Sequence, residues 1–266
     1  MQILIGFLLG LIISLLARKA KALDDSGAIA ATLTGGLIFA FGGLPWAAVL
    51  LTFFISSSLL SNFLSARKRT VGEKYSKSNK RDWAQVLANG GLGTLFVILN
   101  RFIPASPLPW LGFIGAMAAV NADTWSTELG VLAPSSPRLI TNGKQVEAGT
   151  SGGISLVGTL ASLLGAALIG LVAYIFSPTP SFLRIIGISS VAGLLGSLFD
   201  SLLGASIQAI YYCPACNKET EQHPFHQCGV KTRQIRGYQW LNNDMVNFLA
   251  SLFGSGIAIL LGVLIF

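Results

Sequence analysis

Charge is what this sequence has least of. Only 11% of its 266 residues are Asp, Glu, Lys or Arg, against about 25% in an ordinary soluble domain. Hydrophobic residues make up 52%, and the mean hydropathy is +0.66. A soluble globular fold is excluded. The composition predicts an all-α polytopic membrane protein, since helices satisfy their own backbone groups in lipid. Cysteine is scarce as well. There are three, an odd number, and two of them form Cys213-x-x-Cys216. That excludes a disulfide framework and points to a reducing compartment or a metal. No G-x-x-x-x-G-K-[ST] occurs, so a Walker A loop is excluded. The apolar run at 2–17 has neither a basic leader nor a small-residue cleavage site, and reads as a first span.

About eight spans are predicted, at roughly 2–17, 28–43, 45–64, 84–103, 108–131, 152–177, 184–210 and 244–266. They form a single membrane domain, 1–266, with hydrophilic loops at 18–27, 65–83, 132–151 and 211–243. Gly42-Gly43-Leu44-Pro45 reads as a tight turn between the second and third. The fourth is weakened by Asn89, Gly90, Gly91 and Gly93. The four loops hold 3, 7, 2 and 4 Lys/Arg, which is 16 of the 18. The positive-inside rule therefore predicts these loops in the cytoplasm and both termini outside. All 11 acids fall on the same side. Solvation alone would spread acids over both faces, so their clustering predicts a site on the cytoplasmic face. The net charge is +7; the expected partners are the bilayer, a phosphorylated lipid and a nucleotide, with no nucleic acid.

Two apolar segments carry carboxylates. Asn121-Ala-Asp123-Thr124-Trp-Ser-Thr-Glu128 ends the fifth span. Ionisable groups in a span are costly and usually functional. On a straight helix Asp123 and Glu128 point about 140° apart, so one ligand reaches both only in a crevice or at a helix break. Asp200 sits among Leu and Phe in the seventh span, on a stripe with Ser197 and Ser201. Packing by small residues explains the stripe but not the acid. Gly149-Thr150-Ser151-Gly152-Gly153 opens the sixth span and is a weak phosphate-cradle motif. In the basic loop, residues 67–77 suit contact with anionic lipid. Lys80 and Arg81 run into Gln85 and Asn89 at helical spacing, which suits a phosphate clamp. Asn243 and Asn247 share a face of the last helix, and Asp24-Asp25 suits a helix cap. Cys213, Cys216, His226 and Cys228 read as a zinc knuckle, with His223 an alternative ligand.

Together "LDDSGAIAATLTGG", "RDWAQVLANGG", "NADTWSTELG", "GTSGGISLVGTLASLLGA", "GSLFDSLLGA" and "LNNDMVNF" resemble blocks of the integral membrane family that contains vertebrate transmembrane protein 19 and the plastid phytyl-phosphate kinase. The resemblance runs in order over essentially the whole chain. It implies transfer of the terminal phosphate of a nucleoside triphosphate, CTP among the candidates, to phytyl or a related isoprenyl monophosphate. The product is the diphosphate that feeds tocopherol and phylloquinone synthesis. Under that reading Asp123, Asp200 and Glu128 hold Mg²⁺. Lys80 and Arg81 clamp phosphate. Asn89, Asn121, Thr124, Thr150, Ser151, Gly152, Gly153, Ser197, Ser201, Asn243 and Asn247 bind substrate or nucleotide. The alternatives are a CTP-dependent lipid cytidylyltransferase, with a similar metal site, and a membrane transporter, which should place its ionisable groups at the midplane.

Overall fold

The computed structural model describes residues 1–64, 80–176 and 181–265. Residues 67–77, expected to touch anionic lipid, lie outside them. Seven helices are present among the described residues: α1 (Gln2–Lys19), α2 (Asp25–Leu64), α3 (Trp83–Phe102), α4 (Leu108–Gly130), α5 (Leu156–Ile175), α6 (Phe182–Ser206) and α7 (Asn243–Ile265).

α2 is two helices joined at a break. Gly43 has φ 69° and ψ −159°, a conformation open to glycine, and Pro45 follows it. A side chain built at Gly35 would meet Leu50 at 4.0 Å, so the two halves fold back on each other. The expected turn is there. Five helices, α1, α2, α5, α6 and α7, are long and apolar enough to cross a membrane. α3 and α4 are not among them. α3 is diluted by Asn89 and its glycines, and the last third of α4 is polar.

The position of α4 explains how it tolerates that polarity. It is the central helix, and every residue from Leu111 to Ala122 is buried. Its neighbours approach closely because they present small residues. A Cβ at Gly193 of α6 would lie 2.9 Å from the Ala118 carbonyl, and one at Gly254 of α7 would lie 2.9 Å from the Gly115 carbonyl. Polar links add direction. The Asn121 amide donates to the Gly165 carbonyl of α5 (2.7 Å) and accepts from Ser56 of α2 (3.0 Å). The Trp125 indole donates to the same Ser56 (3.2 Å), and a Cβ at Gly165 would strike the Trp125 ring at 2.9 Å. At the other end of α4, Trp46, Trp110 and Phe113 form an aromatic cluster with centroids 4.6–5.8 Å apart.

The fold is mostly helical but not all-α. β1 (Arg138–Leu139) pairs antiparallel with β2 (Gly153–Ile154) in the loop between α4 and α5. The loop between α6 and α7 forms an antiparallel sheet, β3 (Ile210–Cys213), β4 (Lys218–Thr220) and β5 (Arg233–Arg236), with β3 central. These segments lack the apolar periodicity of a helix, and pairing strands satisfies their backbone instead.

Packing between α4 and α7 yields a prediction. A Cβ at Gly115 would lie 2.5 Å from both the Ala258 methyl and the Gly254 carbonyl. Gly115→Ala should cost about 1–3 kcal/mol, the usual cost of overpacking. Gly187 is the matched control, because a Cβ added there would have nothing within 4 Å. Thermal unfolding in detergent should show a clear drop for Gly115→Ala and none for Gly187→Ala.

Candidate active site

The ends of α4 and α6, the start of α7, and the loops around β1 and β2 enclose a polar cleft of about 420 Å³. Eleven of the residues singled out from the sequence line it: Asp123, Thr124, Glu128, Gly149, Thr150, Ser151, Gly152, Gly153, Asp200, Ser201 and Asn243. α4 is unbroken from Leu108 to Gly130. Both of its carboxylates reach the cleft because the cleft wraps around the end of the helix. Asp123 faces α6, where its charge acts on Asp200. Glu128 is only 5% exposed and accepts a hydrogen bond from Ser61 of α2 (2.7 Å).

Asp200 is poorly satisfied. Its Oδ2 is buried without a hydrogen-bond partner, and it feels the charges of both Asp123 and Glu221. An acid beside two other acids, with an orphaned oxygen, is a costly arrangement in the absence of a cation. This donor set fits a hard divalent cation such as Mg²⁺, which takes carboxylate oxygens.

The glycine-rich loop does not run directly into a helix. Gly149 and Gly152 have φ 78° and 82°, and Gly153 already belongs to β2. The loop lies against α6: a Cβ at Gly152 would sit 2.4 Å from the Ala205 nitrogen. The helix N-terminus at the cleft is that of α5, capped by Ser155, whose hydroxyl accepts from the Gly158 N–H (3.1 Å). Ser155 and Gly158 both line the cleft.

Arg81 stands apart from the cleft but is not remote. It precedes α3, where Asp82 and Gln85 form a capping box. Its backbone is held on both sides, by Arg81 N–H to the Ala22 carbonyl (3.0 Å) and Asp24 N–H to the Arg81 carbonyl (3.1 Å). Gly27 permits this, because a Cβ there would fall 2.0 Å from the Arg81 carbonyl oxygen. The guanidinium donates to Ser58 (2.7 Å) and lies over the rings of Phe53 and Phe54, 5.7 and 5.5 Å from their centroids. Burial pushes its pKa down to about 10, opposed by the charge of Glu128. With Gln85 and Asn89 it walls a second cavity of about 320 Å³, mostly apolar, between α1, α2 and α3.

The remaining residues lie elsewhere. Asn121 is the interhelical clamp described above and is fully buried. Ser197 is buried in the bundle below Asp200, and Asn247 lies outside the cleft lining, as does Ser197. Lys80 is exposed over the Arg18–Ser26 turn. Asp24 caps α2, accepting from Ser26 Oγ (2.8 Å) and the Gly27 N–H (2.7 Å). Cys213, Cys216, His226 and Cys228 do converge, with one donor atom from each within 4.8 Å of the others. Reasoning from the sequence missed Glu221, which comes from the cysteine-rich loop to line the cleft. Its signal was the confinement of every acid to one side.

Residues 8–255 match the integral membrane protein family DUF92. Protein PGR of Arabidopsis thaliana is 34% identical over 287 residues, covering all of this chain and 98% of the relative. An uncharacterized membrane protein of Methanocaldococcus jannaschii is 32% identical, covering 98% of this chain and 94% of the relative. Protein VTE6, chloroplastic, of Arabidopsis thaliana is 28% identical, covering 90% of this chain and 65% of the relative. No solved structure matches the chain significantly.

The orphaned oxygen of Asp200 predicts a stability effect that needs no substrate. Asp200→Asn removes a charge that neighbouring acids oppose, so without divalent cation it should stabilise the protein by about 1–3 kcal/mol. Mg²⁺ should raise the melting temperature of the wild type and leave that of the variant unchanged. A variant less stable than wild type without Mg²⁺ would show that the carboxylate is structural.

Proposed function

The chain belongs to this integral membrane family, and on that premise we propose that it is a membrane prenyl-phosphate kinase. It moves the terminal phosphate of a nucleoside triphosphate to an isoprenyl monophosphate. The plastid phytyl-phosphate kinase in the family resemblance supports this, and phytyl phosphate is the acceptor it suggests, with CTP a favoured donor. In the same reading α2 contributes two membrane crossings and α3 and α4 one each, making eight. The termini lie outside and the cleft opens to the cytoplasm.

The observation that carries the reading is the place of Arg81. It walls the apolar cavity, and its charge acts on Glu128, which lines the polar cleft. A lipid tail belongs in the first space and a nucleotide in the second, with their phosphates meeting between them. The acceptor is a phosphate monoester whose second pKa is about 6. At neutral pH it is already a nucleophile, and no general base is required. One of its oxygens attacks the terminal phosphorus of the nucleotide, the bond from that phosphorus to the bridging oxygen breaks, and the nucleoside diphosphate leaves with the electron pair. Catalysis is then positioning and charge neutralisation.

Asp123, Asp200 and Glu128 would hold Mg²⁺, which supplies charge neutralisation to the nucleotide phosphates. Arg81 clamps the acceptor phosphate in a desolvated setting, where a charged hydrogen bond is strong. The hydroxyls of Thr150 and Ser151 and the amide of Asn243 line the nucleotide side. Lys80, Asn121, Ser197 and Asn247 have no direct part in this scheme. Asn89, beside Arg81, belongs to the lipid side.

Purified protein with Mg²⁺, γ-labelled CTP or ATP and phytyl or geranylgeranyl phosphate should yield labelled prenyl diphosphate. Asp123→Asn and Asp200→Asn should each lower kcat by about 100-fold or more, the scale of losing a preorganised electrostatic group. Arg81→Lys should raise KM for the lipid about tenfold with less effect on KM for the nucleotide. Pyrophosphate released in place of nucleoside diphosphate would establish a cytidylyltransferase. Folded protein that transfers no phosphate from any nucleotide would overturn the kinase, and flux through vesicles would then test a transporter.

A further inference from the structure

The sheet β3–β5 has little to hold it together. Its strands are four, three and four residues long. Within 211–236 the buried side chains are Tyr211, Cys213, Thr220, His226 and Thr232. Such a small unit cannot bury enough apolar surface to order itself and needs a staple. Four side chains are placed to supply one. Cys213 ends β3, and Cys216 lies in the turn toward β4. His226 and Cys228 sit in a second tight turn, closed by Gly229 N–H to the His226 carbonyl (2.8 Å) and His226 N–H to the Val230 carbonyl (3.0 Å). The sulfurs of Cys213 and Cys228 are 3.5 Å apart. His226 Nδ1 lies 3.5 Å from the Cys216 sulfur and 3.2 Å from that of Cys228. A tetrahedral zinc site, with Zn–S of about 2.3 Å and Zn–N of about 2.0 Å, separates its ligands by roughly 3.5–3.8 Å. Three thiols and an imidazole gathered at that spacing match a closed structural site. His223 is not a ligand in this arrangement. Its ring stacks on Tyr211, with centroids 4.4 Å apart.

We propose that Cys213, Cys216, His226 and Cys228 bind one Zn²⁺, and that the zinc-ordered ribbon is the strut that sets Glu221 and the glycine-rich loop at the cleft. Three links join the ribbon to the site. Glu221, next after β4, accepts from the Gln208 amide (2.9 Å). Gln208, only 1% exposed, accepts in turn from Ser151 of the glycine-rich loop (2.8 Å). At the end of β5, Arg236 donates to the carbonyls of Gly204 (2.8 Å) and Ala205 (3.1 Å). Those are terminal carbonyls of α6, the helix that carries Asp200, and helix C-termini need such donors. The ribbon thus grips the end of α6 and the loop opposite it and brings in a carboxylate. Glu221 is the positioning element most exposed to loss of zinc, because it lies between the two cysteine turns.

Metal analysis of protein purified from zinc-supplemented cells, without chelator, tests the site directly. About one zinc per chain is expected. Cys216→Ser and Cys228→Ser should retain less than about a tenth of it, whereas His226→Cys, which keeps four ligands, should retain it. Cobalt loading should give the visible bands of a tetrahedral thiolate site. Wild-type chain without zinc, and without those bands after cobalt loading, overturns the proposal. The strut is tested by trypsin. Zinc-loaded protein should resist cleavage at Lys218, Lys231 and Arg233, and chelator-stripped protein should be cut there at least tenfold faster. Equal rates overturn the strut. Glu221→Gln should keep its zinc and its trypsin resistance but lose at least half of the Mg²⁺-induced rise in melting temperature. An unchanged Mg²⁺ response removes Glu221 from the cleft's function. Only this last arm rests on the metal reading of the cleft, so failure of the kinase and failure of the zinc site are separable.

Discussion

A carboxylate inside an apolar bundle must be given company or be lost, and the arrangement of this protein follows from that constraint. Three acids of the cleft, Asp123, Glu128 and Asp200, sit on helices that are otherwise largely apolar. α4 can carry two of them because it never meets lipid over its middle turns. That enclosure depends on glycine and alanine in α5, α6 and α7, which bring neighbouring backbones within van der Waals reach. Packing at one end of the helix thereby licenses polarity at the other. The Ser56 hydroxyl, shared between Asn121 and Trp125, marks the level at which the apolar core gives way to the polar end.

The loops are held as firmly as the helices. Arg81 is pinned through its backbone between Ala22 and Asp24, which ties the segment after α1 to the segment before α3. Gln208 and Arg236 do the same for the loops that follow α4 and α6. A site built on loops gains precision only when such second contacts fix its members. Here the two tethers serve different spaces, one apolar and one polar.

Much of this is legible in the residues. Long apolar runs locate the helices, and Gly43 with Pro45 locates the reversal inside α2. Asp123, Glu128 and Asp200 stand out because acids are rare in such runs, and all three line one cleft. What stays hidden is set by tertiary contact. Asn121, in the same polar block as Asp123, turns away to bind the Gly165 carbonyl, and nothing in the local pattern distinguishes the two directions. Helical spacing links Arg81 to Gln85 and Asn89, yet Arg81 lies outside the helix and reaches the same cavity from the preceding turn. Glu221 is marked only by the confinement of the acids to one side, because its approach to the cleft depends on a sheet that local propensity does not predict. The glycine-rich stretch reads as a helix start, whereas strand pairing with β1 delays the helix to Ser155.

The seating of Arg81 has a consequence for selectivity. Its guanidinium has surrendered most of its water to the rings of Phe53 and Phe54 and to the cavity wall. An uncharged lipid entering that cavity would leave the cation as desolvated as before, with no gain. A hydrophilic phosphate would neutralise it but would have no tail to fill the apolar space. Only a molecule that is greasy along its length and anionic at one end repairs both deficits at once. In the proposed kinase, this pairing of a dry cation with an oily hollow would act as a coincidence detector.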